Sequence, residues 1–495
     1  MARKRFGPHG ARRRAAFAFG LGVLAATGQA PIGAWFVTLP AIAVLITLIV
    51  SQRDAPTSAA VLGWFGGAGY FCAALSWLIS PFLVDADTYA WMAPFALLLM
   101  GFGLALFWAI AVWVGVRAMR PALGVAIALA GAELARGYLF TGFPWALLGH
   151  VWIDTPLGQM AAYIGPNGLT LLTTLAAAAL AAGAVWGRVA AGVALAGLWG
   201  LGLWTLALPM PADTAITLRL VQPNAQQALK WDDAQAEVFF NRLIDATAAR
   251  PSPDYVIWPE TALPYLLEYE PDLQRVISQA AGGAVVIFGR QRIDGDRGYN
   301  SLSVLSPGGV EVALYDKHHL TPFGEYIPFG DVAYDWFGLS AFAAQIGNGF
   351  SAGAGPQIID LGAGGKMLPL ICYEAVFPQN LRAGGARADW LLHITNDAWF
   401  GTLTGPYQHA AQARLRAIEQ GLPMVRVANT GVTAVYDARG RLRADLPFGI
   451  EGHLDTVLPS PLPITPYARW GDWIALVLLI CAVLVAYLPK PSRRY

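Results

Sequence analysis

The run Leu368-Pro369-Leu370-Ile371-Cys372-Tyr373-Glu374 passes without a break from four apolar residues to a thiol, a phenol and a carboxylate. A short apolar run bounded by polar residues reads as a buried strand. A polar cluster placed directly after such a strand is where a strand-to-helix turn exposes a nucleophile. The same texture extends outward. Strands are predicted over Ile216–Val221, Tyr255–Trp258, Val285–Phe288, Leu302–Leu305, Leu368–Cys372, Leu391–Thr395, Val425–Ala428 and Thr433–Tyr436. Helices are predicted over Asp233–Ala249 and Tyr407–Gln420, and Gly295, Gly308-Gly309 and Gly440 mark turns. Residues 213–460 therefore read as a layered α/β domain.

The rest of the chain is of another kind. Of 495 residues only 13% are charged and 56% are hydrophobic, against about 25% charged in ordinary soluble domains. Among 32 acidic residues, only Asp54, Asp85, Asp87, Glu133 and Asp154 precede residue 213, and only Asp472 follows 460. A hydrocarbon core takes about 20 apolar residues per crossing. Such segments lie near 15–30, 32–50, 59–79, 93–116, 121–140, 168–186, 189–208 and 470–488, the sixth beginning after Gly165-Pro166-Asn167. Seven spans fall in 1–212 and the eighth, with a basic tail, in 461–495. Lys and Arg gather on alternate loops: Arg3 to Arg14 at the amino end, Arg53, Arg117 and Arg120, Arg188, then Lys490, Arg493 and Arg494. By the positive-inside rule both termini are cytoplasmic and the 213–460 domain lies outside. A cleaved signal peptide over 3–30 is the alternative for the first segment, with the same side for the α/β domain. The net charge of +1 gives no pull toward nucleic acid.

Cysteine usage narrows the chemistry. Cys72 and Cys481 fall in proposed spans, and Cys372 stands alone in the α/β domain, which excludes an internal disulfide framework there. A single strand cysteine is by default a small buried hydrophobe. Used as a nucleophile, it needs a base for its proton and a cation for the developing oxyanion. Trp258-Pro259-Glu260-Thr261 puts a carboxylate past one strand, and Tyr315-Asp316-Lys317-His318-His319-Leu320 puts an ammonium at the end of another. A neighbouring ammonium is expected to lower the thiol's pKa.

Glu260, Lys317 and Cys372, in this chain order, resemble the Glu–Lys–Cys triad of the nitrilase, or carbon–nitrogen hydrolase, superfamily. The chain as a whole resembles the apolipoprotein N-acyltransferase family. The resemblance is carried by Pro259-Glu260-Thr261, by the run from Asp316 to Pro328, by Cys372-Tyr373-Glu374 and by Thr395 to Gly401, where Thr395 replaces the usual serine. It implies a polytopic α-helical membrane bundle of about eight spans plus an extracytoplasmic nitrilase-like α-β-β-α sandwich in the bacterial inner membrane. Glu260 would be the general base. Lys317 would stabilise thiolate and oxyanion, helped by the Tyr373 N–H. Glu325 would hold the lysine and the reacting groups, and Tyr373 and Glu374 match positions needed for activity. Trp231 matches a tryptophan on a mobile arm, and Trp145 lies in a motif of an outward loop that touches lipid headgroups or serves as an interfacial anchor. The implied reaction moves an acyl chain from a phospholipid, with phosphatidylethanolamine the favoured donor, through a cysteine thioester to the amine of a diacylated apolipoprotein. It implies membrane lipid as a partner and no cofactor, metal or nucleic acid.

Other readings are weaker. A membrane-tethered amidase would use the same triad, and a lipid-binding scaffold would not need all three groups. A transporter buries ionisable residues along a path, whereas the spans offer chiefly Glu133 and Arg136, spaced to pair on one helix face. Gly349-Phe350-Ser351-Ala352-Gly353 has the spacing of a serine nucleophile elbow but sits among glycines and Pro356, as a loop does. His318 and His319, adjacent in a strand-like segment, would face opposite ways. Segments 261–270 and 339–356 read as lids.

Overall fold

The computed structural model describes residues 8–230, 232–270, 272–327, 349–382 and 386–487. The chain divides into two compact units. One comprises residues up to Leu208, Leu403–Ala411 and Thr465 onward; the other comprises Pro209–Thr402 and Gln412–Ile464.

In the helical unit, helices run over Pro8–Ala26, Trp35–Val50, Pro56–Ala74, Ala93–Gly115, Pro121–Arg136, Ala161–Ala181, Val185–Ala207 and Trp473–Tyr487. A helix thus occupies each apolar segment read from the sequence. By length and composition, Ala86–Gly115, Pro156–Ala181 and Val185–Ala207 are able to cross a membrane, and Pro56–Ala74 with Ser76–Leu83, bent by 48°, makes a fourth if the pair is one span rather than a re-entrant loop. Trp35–Val50 and Trp473–Ala486 are shorter apolar helices. Pro56 and Pro121 open their helices, where a missing N–H costs nothing. Helix contact is close: a Cβ on Gly22 would lie 1.9 Å from the Gly66 carbonyl oxygen, so the two backbones meet only because the residue is glycine. The sixth helix starts earlier than its sequence suggested, at Ala161. It absorbs the Gly165-Pro166 interruption as a kink, with Gly165 at φ 64°.

The α/β unit holds two six-stranded sheets. Its described strands are β1 (Thr217–Gln222), β2 (Tyr255–Ile257), β3 (Val285–Asp294), β4 (Arg297–Leu305), β5 (Glu311–Asp316), β6 (Ile359–Asp360), β7 (Lys366–Ile371), β8 (Trp390–Thr395), β9 (Met424–Ala428), β10 (Thr433–Tyr436), β11 (Leu442–Leu446) and β12 (Gly452–Val457). The first sheet has the order β12-β1-β2-β3-β4-β5 and the second β11-β10-β9-β8-β7-β6. The central strands β1-β2-β3 and β7-β8-β9 are parallel, flanked by antiparallel edges.

The central strands are largely apolar because both faces of each sheet are covered, with Arg219, His393 and Arg426 as buried exceptions on β1, β8 and β9. Phe240, Leu243, Ile277 and Ala281 from helices Asp233–Ala248 and Asp272–Ala281 pack on Val256, Trp258, Val286 and Phe288 of the first sheet. Ala413 and Ala417 pack on Leu368, Leu391 and Met424 of the second. Burying such side chains stabilises by roughly 1.5–3 kcal/mol for each large one. Between the sheets the contacts are partly polar: Thr433 Oγ1 donates to Gln222 Oε1 at 2.6 Å, and the Asn224 N–H to the Asn429 carbonyl at 3.1 Å. The layers are therefore helix, sheet, sheet, helix. This stacking brings the ends of parallel strands from both sheets to one region.

Segment 261–270 departs from the lid expectation. Ala262, Leu263 and Leu267 are buried in the first sheet's apolar cluster, and of its large apolar residues only Tyr269 is broadly exposed. Residues 339–348 lie outside the described residues.

Candidate active site

Three strands deliver the groups read from the sequence. Just past β2, Glu260 sits on a turn; Lys317 directly follows β5; Cys372 directly follows β7. All are buried: Glu260 is 6% exposed, Lys317 1% and Cys372 6%. Cys372 opens a 3₁₀ turn, Cys372–Val376, with φ at +50°. That left-handed conformation costs a side-chain-bearing residue about 1–2 kcal/mol and sharply redirects the chain leaving β7.

Lys317 Nζ lies 2.8 Å from Glu325 Oε2 and 3.8 Å from Glu260 Oε1. Asn300, on β4, ties the two carboxylates together: its amide nitrogen donates to Glu260 Oε1 at 2.7 Å and to Glu325 Oε1 at 2.9 Å. The second Glu260 oxygen accepts the Asn396 backbone N–H at 2.8 Å. Glu325 Oε2 accepts the Thr321 N–H at 2.8 Å. Gly289 of β3 presses on the Glu260 turn. A Cβ there would fall 2.6 Å from Glu260 Cα, Pro259 O and Thr261 N.

Burial opposes charge on Lys317, yet Glu325, Cys372 and Glu260 together hold its pKa well above the ordinary lysine value. The ammonium is fixed as a cation. The thiol goes the other way. Burial first and the Glu260 charge second push Cys372 well above the usual thiol range, against Lys317 and a Thr395 hydrogen bond. This corrects the expectation of a lowered thiol pKa, because two nearby carboxylates and the loss of water outweigh one ammonium. Cys372 therefore rests as a thiol.

Glu374 is fully buried and is a structural hub. Its Oε1 accepts from Tyr315 OH at 2.9 Å, the His318 N–H at 2.8 Å and the His319 N–H at 3.2 Å, and its Oε2 accepts the Ile371 N–H at 2.8 Å. It thus pins the Lys317 loop to the end of β7. Burial opposes its ionisation, but His318 and the Ile371 N–H hold its carboxyl below the usual range. His318 and His319 lie past the end of β5 at Asp316 and not in a strand, so strand alternation does not separate them. Both turn their N–H groups to Glu374, and the His319 ring stacks on Phe377 with centroids 3.6 Å apart.

Tyr373 is buried in the Cys372 turn, its ring edge-on to Phe377. The Gly349–Gly353 stretch is a loop, fastened to this site by the Phe350 N–H to Glu325 O at 2.7 Å and the Gly353 N–H to Lys317 O at 2.9 Å. Trp231 lies outside the described residues.

Trp145 belongs to the helical unit and is fully buried, so it does not face headgroups as an outward-loop reading supposed. Its indole donates to Gln408 Oε1 at 2.7 Å, and the Gln408 amide donates to Ala74 O at 3.1 Å. Beside it, Glu133 and Arg136 form the anticipated pair at 2.5 Å. The pair is completely buried, with Trp108 Nε1 on Glu133 at 2.8 Å and Arg136 on the Phe143 and Trp145 carbonyls.

Sequence reading missed Asn300 and Gly289, and gave no role of its own to Asn396 within the Thr395–Gly401 run. Asn300 lies on β4 but ahead of the strand predicted over Leu302–Leu305, so the sequence pattern gave no sign of it.

A buried cysteine, lysine and glutamate just past strand ends of a two-sheet α/β unit, with a second buried glutamate on a following turn, define a carbon–nitrogen hydrolase domain. Residues 217–460 match the carbon–nitrogen hydrolase family, and residues 21–179 match the apolipoprotein N-acyltransferase N-terminal domain. The chain is 39% identical to an apolipoprotein N-acyltransferase of Sinorhizobium fredii, covering 91% of each chain. It is 39% identical to that of Brucella suis, covering 96% of this chain and 95% of the other, and 37% identical to that of Rhodopseudomonas palustris, covering 97% and 95%. Among solved structures, an amidase from Nesterenkonia sp. is similar at 17% identity over 51% of this chain and 94% of its own, with a TM-score of 0.37. The chain belongs to the apolipoprotein N-acyltransferase family.

Proposed function

We propose that the protein transfers an acyl chain from a phospholipid, by way of a thioester on Cys372, to the amino-terminal amine of a diacylglyceryl-cysteine on an apolipoprotein. The observation that carries this reading is the convergence of the Glu260 and Lys317 charges on a buried Cys372 in a chain that also carries long apolar helices.

Glu260 takes the thiol proton as Cys372 Sγ attacks the ester carbonyl, and Lys317 with the Tyr373 N–H stabilises the oxyanion. Collapse breaks the carbon–oxygen bond; the leaving alkoxide takes the proton from Glu260 and departs as lysophospholipid. The acceptor amine then attacks the thioester carbonyl, giving its proton to Glu260. The carbon–sulfur bond breaks, the amide is released, and Glu260 returns that proton to the Cys372 thiolate.

Family membership favours the acyltransferase over a membrane-tethered amidase, and the named relatives favour the apolipoprotein acceptor. Phosphatidylethanolamine is the favoured donor. The eight helices are the spans, both termini lie in the cytoplasm, and the α/β unit faces outward from the bacterial inner membrane, as the Lys and Arg loop pattern supports. Holding the thiol at the bilayer surface turns a search in volume into positioning within a plane.

The test is incubation of the purified full-length protein with acyl-labelled phosphatidylethanolamine. A hydroxylamine-sensitive adduct on Cys372 that passes to a diacylated lipopeptide amine is expected. Equal labelling of Cys372→Ser would sink the thioester route, and acyl transfer to water alone would favour the amidase.

A further inference from the structure

Lys230 ends the segment that follows β1. It is 3% exposed, and its ammonium donates to Thr261 Oγ1 at 2.7 Å and to the Glu260 carbonyl at 3.5 Å. Thr261 holds φ at +44°, a left-handed conformation that a β-branched residue rarely adopts. The turn bearing Glu260 is thus gripped from two sides, by the Gly289 backbone, whose N–H donates to Pro259 O at 3.1 Å, and by Lys230. Loss of water pushes Lys230 down to about 8, against the Glu260 charge. Burying a lysine this deeply is costly, and an apolar residue would fill the volume without that cost.

The same segment also reaches the carboxylate end of Glu260. Gln227 Oε1 accepts from the Asn396 amide at 2.6 Å, and it is the Asn396 backbone N–H that holds Glu260 Oε2. One stretch of chain therefore contacts the base at its main chain and, through Asn396, at its carboxylate.

We infer that Lys230 is a positioning residue for Glu260: its ammonium locks the Thr261 turn and so fixes the carboxylate that serves the Cys372 thiol. This rests on the acyl-transfer reading above, but it concerns the first half-reaction only. The small ester p-nitrophenyl butyrate loads the thiol without needing phospholipid or lipopeptide, so it separates the two ideas.

With full-length protein in detergent, wild type should release a burst of p-nitrophenol that Cys372→Ser lacks. Lys230→Met should slow the burst about tenfold or more with KM changed by less than about twofold, because a misplaced base affects the chemical step and not ester binding. Lys230→Arg should restore the rate to within about threefold, and Thr261→Val, which removes the hydroxyl partner, should slow it as well. A Lys230→Met burst at the wild-type rate overturns the inference. So does a slow Lys230→Arg, which would mean that shape rather than the cation matters. If Lys230→Met does not fold, Lys230→Arg and Thr261→Val decide by the same criteria. A protein that bursts with the small ester but never loads from phospholipid sinks the donor assignment alone.

Discussion

Lys317 Nζ stands 2.8 Å from Glu325 Oε2 but 3.8 Å from Glu260 Oε1. The two carboxylates therefore differ in role although Asn300 touches both. Glu325 is the lysine's nearer counter-charge, while Glu260 is held chiefly by the Asn300 amide and the Asn396 backbone N–H.

From that difference, Glu325→Gln should do two things together. It removes the nearest negative charge from a buried ammonium, and breaking a buried ion pair costs about 3–5 kcal/mol. It also leaves Glu260 as the lysine's nearest carboxylate among the described residues, so the lysine moves toward it and the base is lost to the pair. Loading of Cys372 from labelled phospholipid should fall by about 10² or more, and the thermal midpoint should drop. Loading at the wild-type rate would show that Glu325 is dispensable for holding Lys317.

Thiol ionisation and acyl loading should respond in opposite directions to Glu260→Gln. Burial, then the Glu260 charge, raises the Cys372 pKa, so near neutral pH the wild-type residue is a protonated thiol and iodoacetamide should modify it slowly. Removing a negative charge from beside a thiol favours the thiolate. In Glu260→Gln the alkylation of Cys372, followed by peptide mass spectrometry to separate it from Cys72 and Cys481, should therefore begin at lower pH. Phospholipid loading should nevertheless vanish, because no base remains to carry the proton between thiol, leaving group and amine. An unchanged onset of alkylation would mean that Glu260 is not charged beside the thiol.

What the sequence disclosed follows a physical pattern. Cys372, Glu260 and Lys317 were legible because each comes at the polar end of an apolar strand, a signal confined to a few neighbouring residues. The eight apolar helical segments were legible for the same local reason. Asn396 was not, because it serves Glu260 through a backbone N–H, which any residue would supply, across 136 positions. The burial of Trp145 depends on Gln408, 263 residues away. Strands β11 and β12 are half-exposed and lack an apolar run, so nothing in their composition announced them. The direction of the thiol's pKa was misjudged because it is a sum over charges whose distances only the fold sets.

In the helical unit, the Glu133–Arg136 pair is a stability element. Both side chains are completely buried, and Trp108 and the Phe143 and Trp145 carbonyls give the pair further hydrogen bonds. Glu133→Gln preserves shape but leaves the guanidinium without its counter-charge, at a cost of about 3–5 kcal/mol. The detergent-solubilised protein should unfold at a markedly lower temperature, while Cys372 in molecules that remain folded should still be loaded. A midpoint equal to wild type would show that Arg136 finds another anion or that water reaches it.

Gly289→Ala tests how tightly the base must be held. The added methyl would sit 2.6 Å from three backbone atoms of the Pro259–Thr261 turn, a separation that no real Cβ contact tolerates. Backbone has to yield. Overpacking of this kind costs about 1–3 kcal/mol, and a displacement of the base by about 1 Å costs about 10²-fold in rate. Gly298→Ala, on the neighbouring strand, is the matched control, since its Cβ would meet only Phe350 Cδ1 at 3.7 Å, an ordinary contact. Gly289→Ala should lose loading by about 10²-fold and Gly298→Ala should stay within about twofold of wild type. Equal rates for the two variants would mean that the turn adapts around the methyl and that the position of Glu260 is not set by its packing on β3.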